Sequence, residues 1–270
     1  MNYLSSFREP LLGKTQDWIL KYTSSMEEDR IIAKEVIEIL IAHTKHLVNR
    51  KIIPHDIGFK VLSILNELLS DPSPLFKIKA EDIHEAIEIY LEQRIGKDAN
   101  WIAIAKSRND HIAAILRLKT KKLLLKLIES IIEFRKNILD KASHYLDVLM
   151  PAYTHLQPAQ VVTYAHYLTH IENTLALYTK LLLFITKEVV DESPLGVTAI
   201  ASTIVPIDRY ELAQLAGFRD IVENSICAVS SRDFLTITSS IVTCLAIFLS
   251  RIAEDMIISV SYTHLTLPTN

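Results

Sequence analysis

Residues 107–150 read SRNDHIAAILRLKTKKLLLKLIESIIEFRKNILDKASHYLDVLM, and this stretch decides the fold. No glycine or proline interrupts it before Pro151, and its apolar side chains recur at helical spacing. At about 1.5 Å of rise per residue, the stretch predicts a helix on the order of 60 Å long. Because so long a helix must bury its apolar side chains against neighbours of similar length, the sequence predicts a bundle of long helices.

Two further stretches have the same character. One begins at Pro158 and ends before Ser193-Pro194, and the other runs from near Ser231 to about Ile258. Their apolar residues surround most of each helix, which indicates several helical neighbours rather than one coiled-coil partner. Three shorter helices are predicted upstream: Met26 to Asn49 with a capping box at Ser25-Met-Glu-Glu28, Asp56 to Leu69, and Ala80 to Ile95 closed by Gly96. We therefore expect an all-α fold.

The composition excludes several classes of protein. Only 5 glycines occur, and no GxGxxG or GxxxxGK[ST] pattern is present, which argues against nucleotide-binding folds. The 29 basic and 32 acidic side chains give a net charge of -3, so no basic field favours nucleic acid or anionic membrane. The uncharged run Phe234–Ser250 is short for a membrane span and carries Ser and Thr, which favours a helix buried on all sides in a bundle.

The N-terminus and the cysteines indicate a cytoplasmic protein. Residues 1–14 lack the basic and apolar regions of a secretory signal. The only two cysteines, Cys227 and Cys244, lie among apolar or small residues that predict core positions, and they form no disulfide framework. The predicted organisation is an N-terminal helical domain (1–106), a partial central long-helix bundle (107–258), and a non-native or disordered tail (259–270) that is uncharged and aperiodic.

The first cluster with chemical potential is Ser107-Arg-Asn-Asp110, at the start of the longest predicted helix. Ser107 and Asp110 have the spacing of a capping box, and a helix N-terminus favours an anion. Arg108 and Asn109 add a forked cation and an amide donor, which together suit a carboxylate. The alternative is a plain helix cap with solvated charges.

Two loops carry the other candidates. Met150–Gln160 places Thr154, His155 and Gln157 beside a helix start, and His155 is a candidate general acid or orienting group, although a lone loop histidine is more often a surface residue. Residues 193–209 form a connector in which Asp208 can cap a short helix, and a purely structural turn explains them equally well.

Together and in this order, the motifs resemble argininosuccinate lyases of the fumarase and aspartase superfamily. The motifs that carry the resemblance are Glu81-Asp-Ile-His-Glu-Ala-Ile-Glu88, Ser107-Arg-Asn-Asp110, Tyr153-Thr-His-Leu-Gln-Pro-Ala-Gln160, Ser193-Pro-Leu-Gly196, Pro206-Ile-Asp-Arg209, Glu223-Asn-Ser225 and Ser231-Arg-Asp-Phe234. The resemblance covers roughly residues 22–258 and implies a long-helix bundle in which homotetramers share their sites between subunits.

The resemblance also implies the chemistry, the β-elimination of argininosuccinate to fumarate and arginine. It assigns substrate binding to Ser107, Arg108, Asn109, Thr154, Gln157 and His84, and protonation of the leaving nitrogen or ordering of the site to His155. His84 and Asp82 lie near the pocket in the family, while a satisfied pair on a helix surface is the alternative. No cofactor is implied.

The chain departs from the family in several places. The serine base loop of the family, Ser-Ser-x-Met-Pro-x-Lys, is absent from the 270 residues, and three long helices are predicted where the family packs five. We therefore expect a C-terminally truncated chain with an incomplete central bundle that is inactive alone. The resemblance places glycines or substrate-facing polar residues where this chain has Ala105, Lys106, Val197, Thr198, Ser202, Val36 and Leu40, and threonine where it has Ala114.

Two other interpretations remain open at the level of sequence. A non-catalytic helical scaffold of the same ancestry would oligomerise without eliminating anything, and the altered glycines favour it. A carboxylate-bridged metal bundle is suggested by Glu81-x-x-His84, but such a site needs a second Glu-x-x-His, which the chain lacks. His166 and His170 lack an obvious third ligand, so we predict no metal site.

Overall fold

A computed structural model describes residues 16–260, and the account below concerns those residues. Helices account for most of them. In chain order the α-helices are α1 (Asp17–Thr23), α2 (Ala33–Asn49), α3 (His55–Ser70), α4 (Ile83–Ile95), α5 (Arg108–Ser143), α6 (Tyr164–Ile185), α7 (Arg209–Leu215), α8 (Ser225–Ser230) and α9 (Asp233–Val260). Short 3-10 helices at Glu28–Ile31, Ser73–Lys77 and Gly96–Ala103 and a π-helix at Thr186–Val190 supplement them.

Two small pairs of strands complete the described chain. Strands β1 (Leu149–Thr154) and β2 (Gln157–Thr163) form an antiparallel hairpin. Strands β3 (Glu192–Ser193) and β4 (Asp220–Ile221) pair in parallel. The predicted all-α class is confirmed, since these strands are minor additions to a helical fold.

The described residues form two compact units. The first contains residues 16–120 and 191–231, and the second contains residues 121–190 and 232–260. Both units are discontinuous in sequence, whereas the predicted organisation used single cuts after residues 106 and 258. Those boundaries stay predictions, and residues 261–270 of the predicted tail lie outside the described residues.

The core of the first unit lies between α2, α3, α4 and the start of α5. Apolar side chains recur on one face of each helix, and burying them supplies most of the stability of short helices. The largest fully buried members are Ile37, Ile39, Leu40, Leu65, Leu68, Leu75, Ile83, Ile87, Leu91 and Ile115. This core fixes where α4 and α5 begin, and both helix starts carry candidate site residues.

The three long helices form as predicted, but several of their boundaries differ. Helix α5 has 36 residues and ends at Ser143 rather than near Pro151, and residues 149–154 form β1; α9 has 28 residues. Helix α6 ends at Ile185 and is followed by the π-helix Thr186–Val190. Helix α6 begins at Tyr164 rather than Pro158, because residues 157–163 pair with β1 and the Thr163 side chain caps the helix by accepting from His166 N–H at 3.1 Å. Proline is tolerated in this two-stranded hairpin, so it did not mark the helix start.

Three other predictions need correction. The capping box at Ser25 is wrong: Ser25 N–H donates to Glu81 O at 2.9 Å, its hydroxyl donates to Asp29 at 3.0 Å, and α2 starts later. Cys227 and Cys244 are exposed rather than buried. Within this chain α9 is not buried on all sides, and its buried residues are Phe234, Leu245 and Phe248.

No helix within residues 16–260 combines the length and the apolar character that crossing a bilayer requires.

The packing of α2 against α3 yields a test of the fold. We expect Gly58→Ala to lower the midpoint of thermal unfolding, although alanine is the better helix former by about 1 kcal/mol. A Cβ at Gly58 would overlap Val48 Cγ2, and the stiff valine side chain cannot rotate away easily. Overpacking of this kind costs about 1–3 kcal/mol.

The double variant Gly58→Ala with Val48→Ala removes the overlap and keeps the gain in helix propensity. It should unfold at a higher temperature than Gly58→Ala alone. A single Gly58→Ala variant more stable than the wild-type chain would contradict this close approach.

Candidate active site

The start of α5 is closed by the capping box that the sequence predicts. Asn109 N–H donates to Ser107 Oγ at 3.2 Å, and Ser107 N–H donates to Asp110 Oδ1 at 3.1 Å. Two N–H groups at the mouth of a 36-residue helix are thereby satisfied. The positive end of the helix dipole remains directed at the space in front of Ser107, which favours an anion there.

Arg108 links the start of α5 to the start of α4. Its guanidinium pairs with the Asp82 carboxylate at 2.7 Å, and Asp82 also caps α4 by accepting from Glu85 N–H at 2.8 Å. Because Asp82 is held by its own helix, the ion pair fixes where the Arg108 side chain lies. The alternative of a His84 and Asp82 pair on a helix surface is excluded, since His84 is buried at 3% exposure.

A cavity of about 210 Å³ opens at this point. Its size is small for a ligand pocket but suits a compact anion. Lys106 lies on one side and pairs with Glu88 at 3.0 Å, so both cations of the cavity have carboxylate partners. The lining residues are His84, Glu88, Ala103, Lys106, Ser107, Arg108 and His111.

Buried histidines form part of the cavity lining and are neutral. Burial, followed by the nearby charges of Lys106 and Arg108, lowers the pKa of His84 to about 3. Burial also lowers the pKa of His111 well below its usual value. Among the described residues, no partner is found for His84 Nε2 or His111 Nδ1. Buried polar atoms are normally paired, so these two nitrogens are exceptions among the residues of the cavity lining.

A third buried histidine, His43, packs against the cavity lining. The ring of His43 packs edge-on against His111 with centroids 5.2 Å apart, and its Nε2 lies 2.9 Å from Ile104 O. Burial lowers the pKa of His43 to about 4, so it donates to Ile104 as a neutral ring.

Asn109 and Asp110 face the connector between residues 193 and 209 rather than the cavity. The Asn109 amide donates to Ala199 O at 2.9 Å, and Asp110 Oδ2 accepts from Gly196 N–H at 3.1 Å and Thr198 N–H at 2.9 Å. Burial outweighs these hydrogen bonds and raises the pKa of Asp110 to about 6. One donor of the predicted ligand residue Asn109 is therefore already engaged.

Three residues other than glycine adopt a backbone conformation that favours glycine. Ala105, Thr198 and Ser202 have φ values of 55°, 55° and 81°. Non-glycine residues in this region are uncommon and cluster at functional sites. Val36 and Leu40, by contrast, lie in the apolar core and face no cavity, so they are packing residues in this structure.

Thr154, His155 and Gln157 lie together at the tip of the β1–β2 hairpin, in the second unit. His155 and Leu156 form the two-residue turn with φ values of 52° and 59°. Such a turn prefers Asn-Gly, so these side chains hold an unfavourable backbone there. All three candidates are exposed. The structure thus gathers His84, Ser107 and Arg108 around one cavity, turns Asn109 toward the connector, and places Thr154, His155 and Gln157 at one turn.

Two polar residues of the cavity lining were not predicted from the sequence. Glu88 lies one turn after His84 on α4, and His111 lies one turn after Ser107 at the start of α5. Each of these residues lies four positions after a predicted site residue and therefore on the same face of the helix. This spacing could have identified both from the sequence. Within residues 16–260, no group of three His, Cys, Asp or Glu side chains is arranged to hold a metal ion.

The all-α fold of long helices is the fold of the fumarase and aspartase superfamily. The chain belongs to the lyase family, whose model matches residues 11–269.

The chain is also similar to curated proteins that are named argininosuccinate lyases. An argininosuccinate lyase from Pyrococcus furiosus is 49% identical over 252 residues, which are 93% of this chain and 54% of that protein. The argininosuccinate lyase of Sulfolobus acidocaldarius is 39% identical over 91% of this chain and 54% of its own length. The chain spans about half the length of the curated relatives it matches.

Solved structures give the same fold. An EDDS lyase variant with bound fumarate matches with a TM-score of 0.81 and 26% identity over 92% of this chain and 49% of its own. A fumarate lyase (delta crystallin) from Brucella melitensis bound to cobalt matches with a TM-score of 0.73 at 17% identity over 88% of this chain and 58% of its own. The second likeness bears on the fold alone.

The buried histidines make the stability of the fold depend on pH. An unfolded histidine titrates near pH 6.5, whereas His43 and His84 stay neutral in the folded chain down to about pH 4 and about pH 3. Below pH 6.5 the unfolded state therefore binds more protons, and the free energy of unfolding falls as the pH falls. Burial also raises the pKa values of Asp29 and Asp110, which act in the opposite direction, but these are two carboxyl groups against the four histidines whose pKa values are lowered, His43, His46, His84 and His111.

We expect His43→Gln to flatten this dependence by roughly 1.4 kcal/mol per pH unit, the effect of one proton. Urea unfolding between about pH 7 and about pH 4.5 measures it. The control is His55→Gln, an exposed position whose change should leave the slope as in wild type. Equal slopes for His43→Gln and wild type would contradict a neutral buried ring.

Proposed function

We propose that this chain carries the carboxylate-binding part of an argininosuccinate lyase, which eliminates fumarate from argininosuccinate and releases arginine. The observation that carries the proposal is the cavity at the start of α5, where Lys106, Arg108 and the helix dipole face the same space. The relatives at up to 49% identity, which are named argininosuccinate lyases, support the substrate.

The elimination requires charge stabilisation at a carboxylate. A base removes the proton from the carbon beside that carboxylate, negative charge develops on its oxygens, and the C–N bond on the adjacent carbon breaks. Fixed donors that face the developing charge lower the barrier because they need no rearrangement. Ser107 and Arg108 meet this demand, the first at the helix start and the second as a forked cation held by Asp82.

The cavity lining combines uncharged histidines with charged side chains. His84 and His111 are uncharged, so they can donate or accept a hydrogen bond without opposing an anion, and their orphaned nitrogens gain a partner when it binds. An incoming carboxylate shares Arg108 with Asp82 and Lys106 with Glu88. Asn109 does not line the cavity, and its amide holds Ala199 O; in this proposal it binds the substrate from the side of the connector, a role that rests on the resemblance.

Protonation of the departing nitrogen falls to His155, with Thr154 and Gln157 binding substrate beside it. These roles rest on the resemblance, and the exposed hairpin turn is consistent with a group that meets its substrate in an assembly. The base is a serine on a Ser-Ser-x-Met-Pro-x-Lys loop, a motif that these 270 residues do not contain. We therefore assign that step to further sequence of the protein.

We further propose a cytoplasmic homotetramer that shares its sites between subunits and acts in arginine biosynthesis without a cofactor, a nucleic acid or a membrane partner. Apolar side chains remain exposed along the long helices of the second unit, and patches of this kind mark interfaces. Those on α6 are Leu177, Leu181, Leu183 and Phe184, and those on α9 include Ile237, Ile247, Leu249 and Ile257.

Arg108→Gln tests the lyase proposal in the protein encoded by the complete gene. We expect it to lower kcat/KM for argininosuccinate by roughly 100-fold or more, the loss typical of removing a donor to a developing charge. The release of fumarate, followed by its ultraviolet absorbance, measures the rate. The control is Arg94→Gln on α4, whose guanidinium also pairs with a carboxylate, Glu67, at 3.5 Å but lies away from the cavity lining.

Comparable losses in both arginine variants would mean that Arg108 only stabilises the fold. A wild-type protein that carries the serine loop yet releases no fumarate would support the non-catalytic scaffold instead.

Phe184→Glu tests the assembly. Phe184 is 60% exposed on α6, and a charge placed in an apolar interface should reduce the mass of the complete protein below that of a tetramer in light scattering. Phe59→Glu is the control, since Phe59 is similarly exposed at 57% but lies on α3 of the first unit. If Phe184→Glu remains tetrameric, α6 does not form the interface.

A further inference from the structure

The connector after β3 contains a tight turn that has no repeating structure of its own. We call residues 196–202 the connector turn. Ser202 N–H donates to Val197 O at 2.8 Å, and the Thr198 hydroxyl donates to Ser202 O at 2.8 Å. The turn contains three positive φ values, at Gly196, Thr198 and Ser202. Such a backbone persists only where surrounding contacts determine it.

The strongest of these contacts come from a single side chain. The Asp110 carboxylate, at 1% exposure, accepts from Gly196 and Thr198 N–H through Oδ2 and from Ser107 N–H through Oδ1. One group thus holds both the connector turn and the first turn of α5. Arg209 braces the other side of the connector by donating to Leu195 O at 3.2 Å and to Val222 O.

A second contact returns from the connector turn to α5. The carbonyl of Ala199 accepts from the Asn109 amide at 2.9 Å, so the position of Ala199 sets the orientation of that side chain. These contacts lead from Asp110 back to the residue beside it. Asp110 holds Gly196 and Thr198, and these two residues position Ala199. Ala199 in turn orients Asn109, which precedes Asp110 in the chain.

We infer that Asp110 is a positioning residue that fastens the connector turn to the first turn of α5 and thereby fixes Ser107 at the cavity and Asn109 against the connector turn. The consequence for ligand binding rests on the proposed function, whereas the fastening itself does not. Asp110 is absent from the cavity lining, so it acts on the ligand through Ser107, which lines the cavity.

A carboxylate suits this task better than an amide. Three backbone N–H groups converge on Asp110, and an ionised carboxylate offers acceptors only. Asparagine would present an N–H pair to at least one of these donors, which leaves buried donors without a partner. The charge also strengthens each hydrogen bond that the carboxylate accepts.

The test compares Asp110→Asn with Asp208→Asn in the protein encoded by the complete gene. Asp208 is also a helix cap, since it accepts from Tyr210 and Glu211 N–H at 3.0 and 3.1 Å, and it pairs with Arg50, but it holds no group of the connector turn. Both variants lose capping hydrogen bonds and should be less stable. Only Asp110→Asn should release the connector turn from the first turn of α5.

The first measurement is hydrogen exchange without ligand. We expect the amides of Gly196, Thr198 and Ser107 to exchange at least tenfold faster in Asp110→Asn than in wild type, and at the wild-type rate in Asp208→Asn. Unchanged exchange at Gly196 and Ser107 in Asp110→Asn, or equal acceleration in both variants, overturns the inference. This outcome is decided whether or not the protein is a lyase.

The second measurement is the Kd of fumarate by calorimetry. Asp110→Asn should bind at least tenfold more weakly and Asp208→Asn as wild type does. Wild-type affinity in Asp110→Asn overturns the role in fixing Ser107 at the cavity. If wild type neither binds nor releases fumarate, the proposed function fails, while the exchange result still decides whether Asp110 fastens the turn.

Discussion

The first unit depends on how the free N–H groups of α5 are satisfied. A 36-residue helix concentrates a positive dipole end and unpaired donors at one point, and the chain brings two other elements, α4 and the connector turn, to that point. Ser107 and Asp110 close the helix locally, Arg108 ties it to the cap of α4 through Asp82, and Asp110 ties it to the connector turn. The contacts that cap the start of α5 therefore also form the cavity in front of it.

Charge balance around this cavity follows from burial. Histidines that pack between α2, α4 and α5 lose their protons because the interior disfavours a charge, and the cations Lys106 and Arg108 disfavour it further. Each of these cations has a carboxylate partner, Glu88 for Lys106 and Asp82 for Arg108. The site thus combines fixed cations with neutral ring nitrogens, an arrangement that accepts an anion without adding a second buried charge of the same sign.

The sequence predicted those parts of the fold that depend on local pattern. Long runs without glycine or proline gave α5 and α9, and the Ser107 to Asp110 spacing gave a true capping box. The same type of pattern failed at Ser25, because Glu81 and Asp29, one of them distant in sequence, compete for its hydrogen bonds. Pairing of β2 with β1 likewise displaced the start of α6. Contacts of this kind, and the burial of His43 and His111, depend on tertiary packing that no local spacing encodes.

Three residues other than glycine hold a backbone conformation that favours glycine. Ala105, Thr198 and Ser202 have positive φ values, and each costs roughly 1–2 kcal/mol relative to an ordinary conformation. Threonine is especially unfavourable there, since its branched side chain crowds the backbone. Thr198 offsets that cost with two contacts: its N–H donates to Asp110, and its hydroxyl donates to Ser202 O. The backbone of the connector turn therefore depends on surrounding contacts that stabilise it by more than the strain.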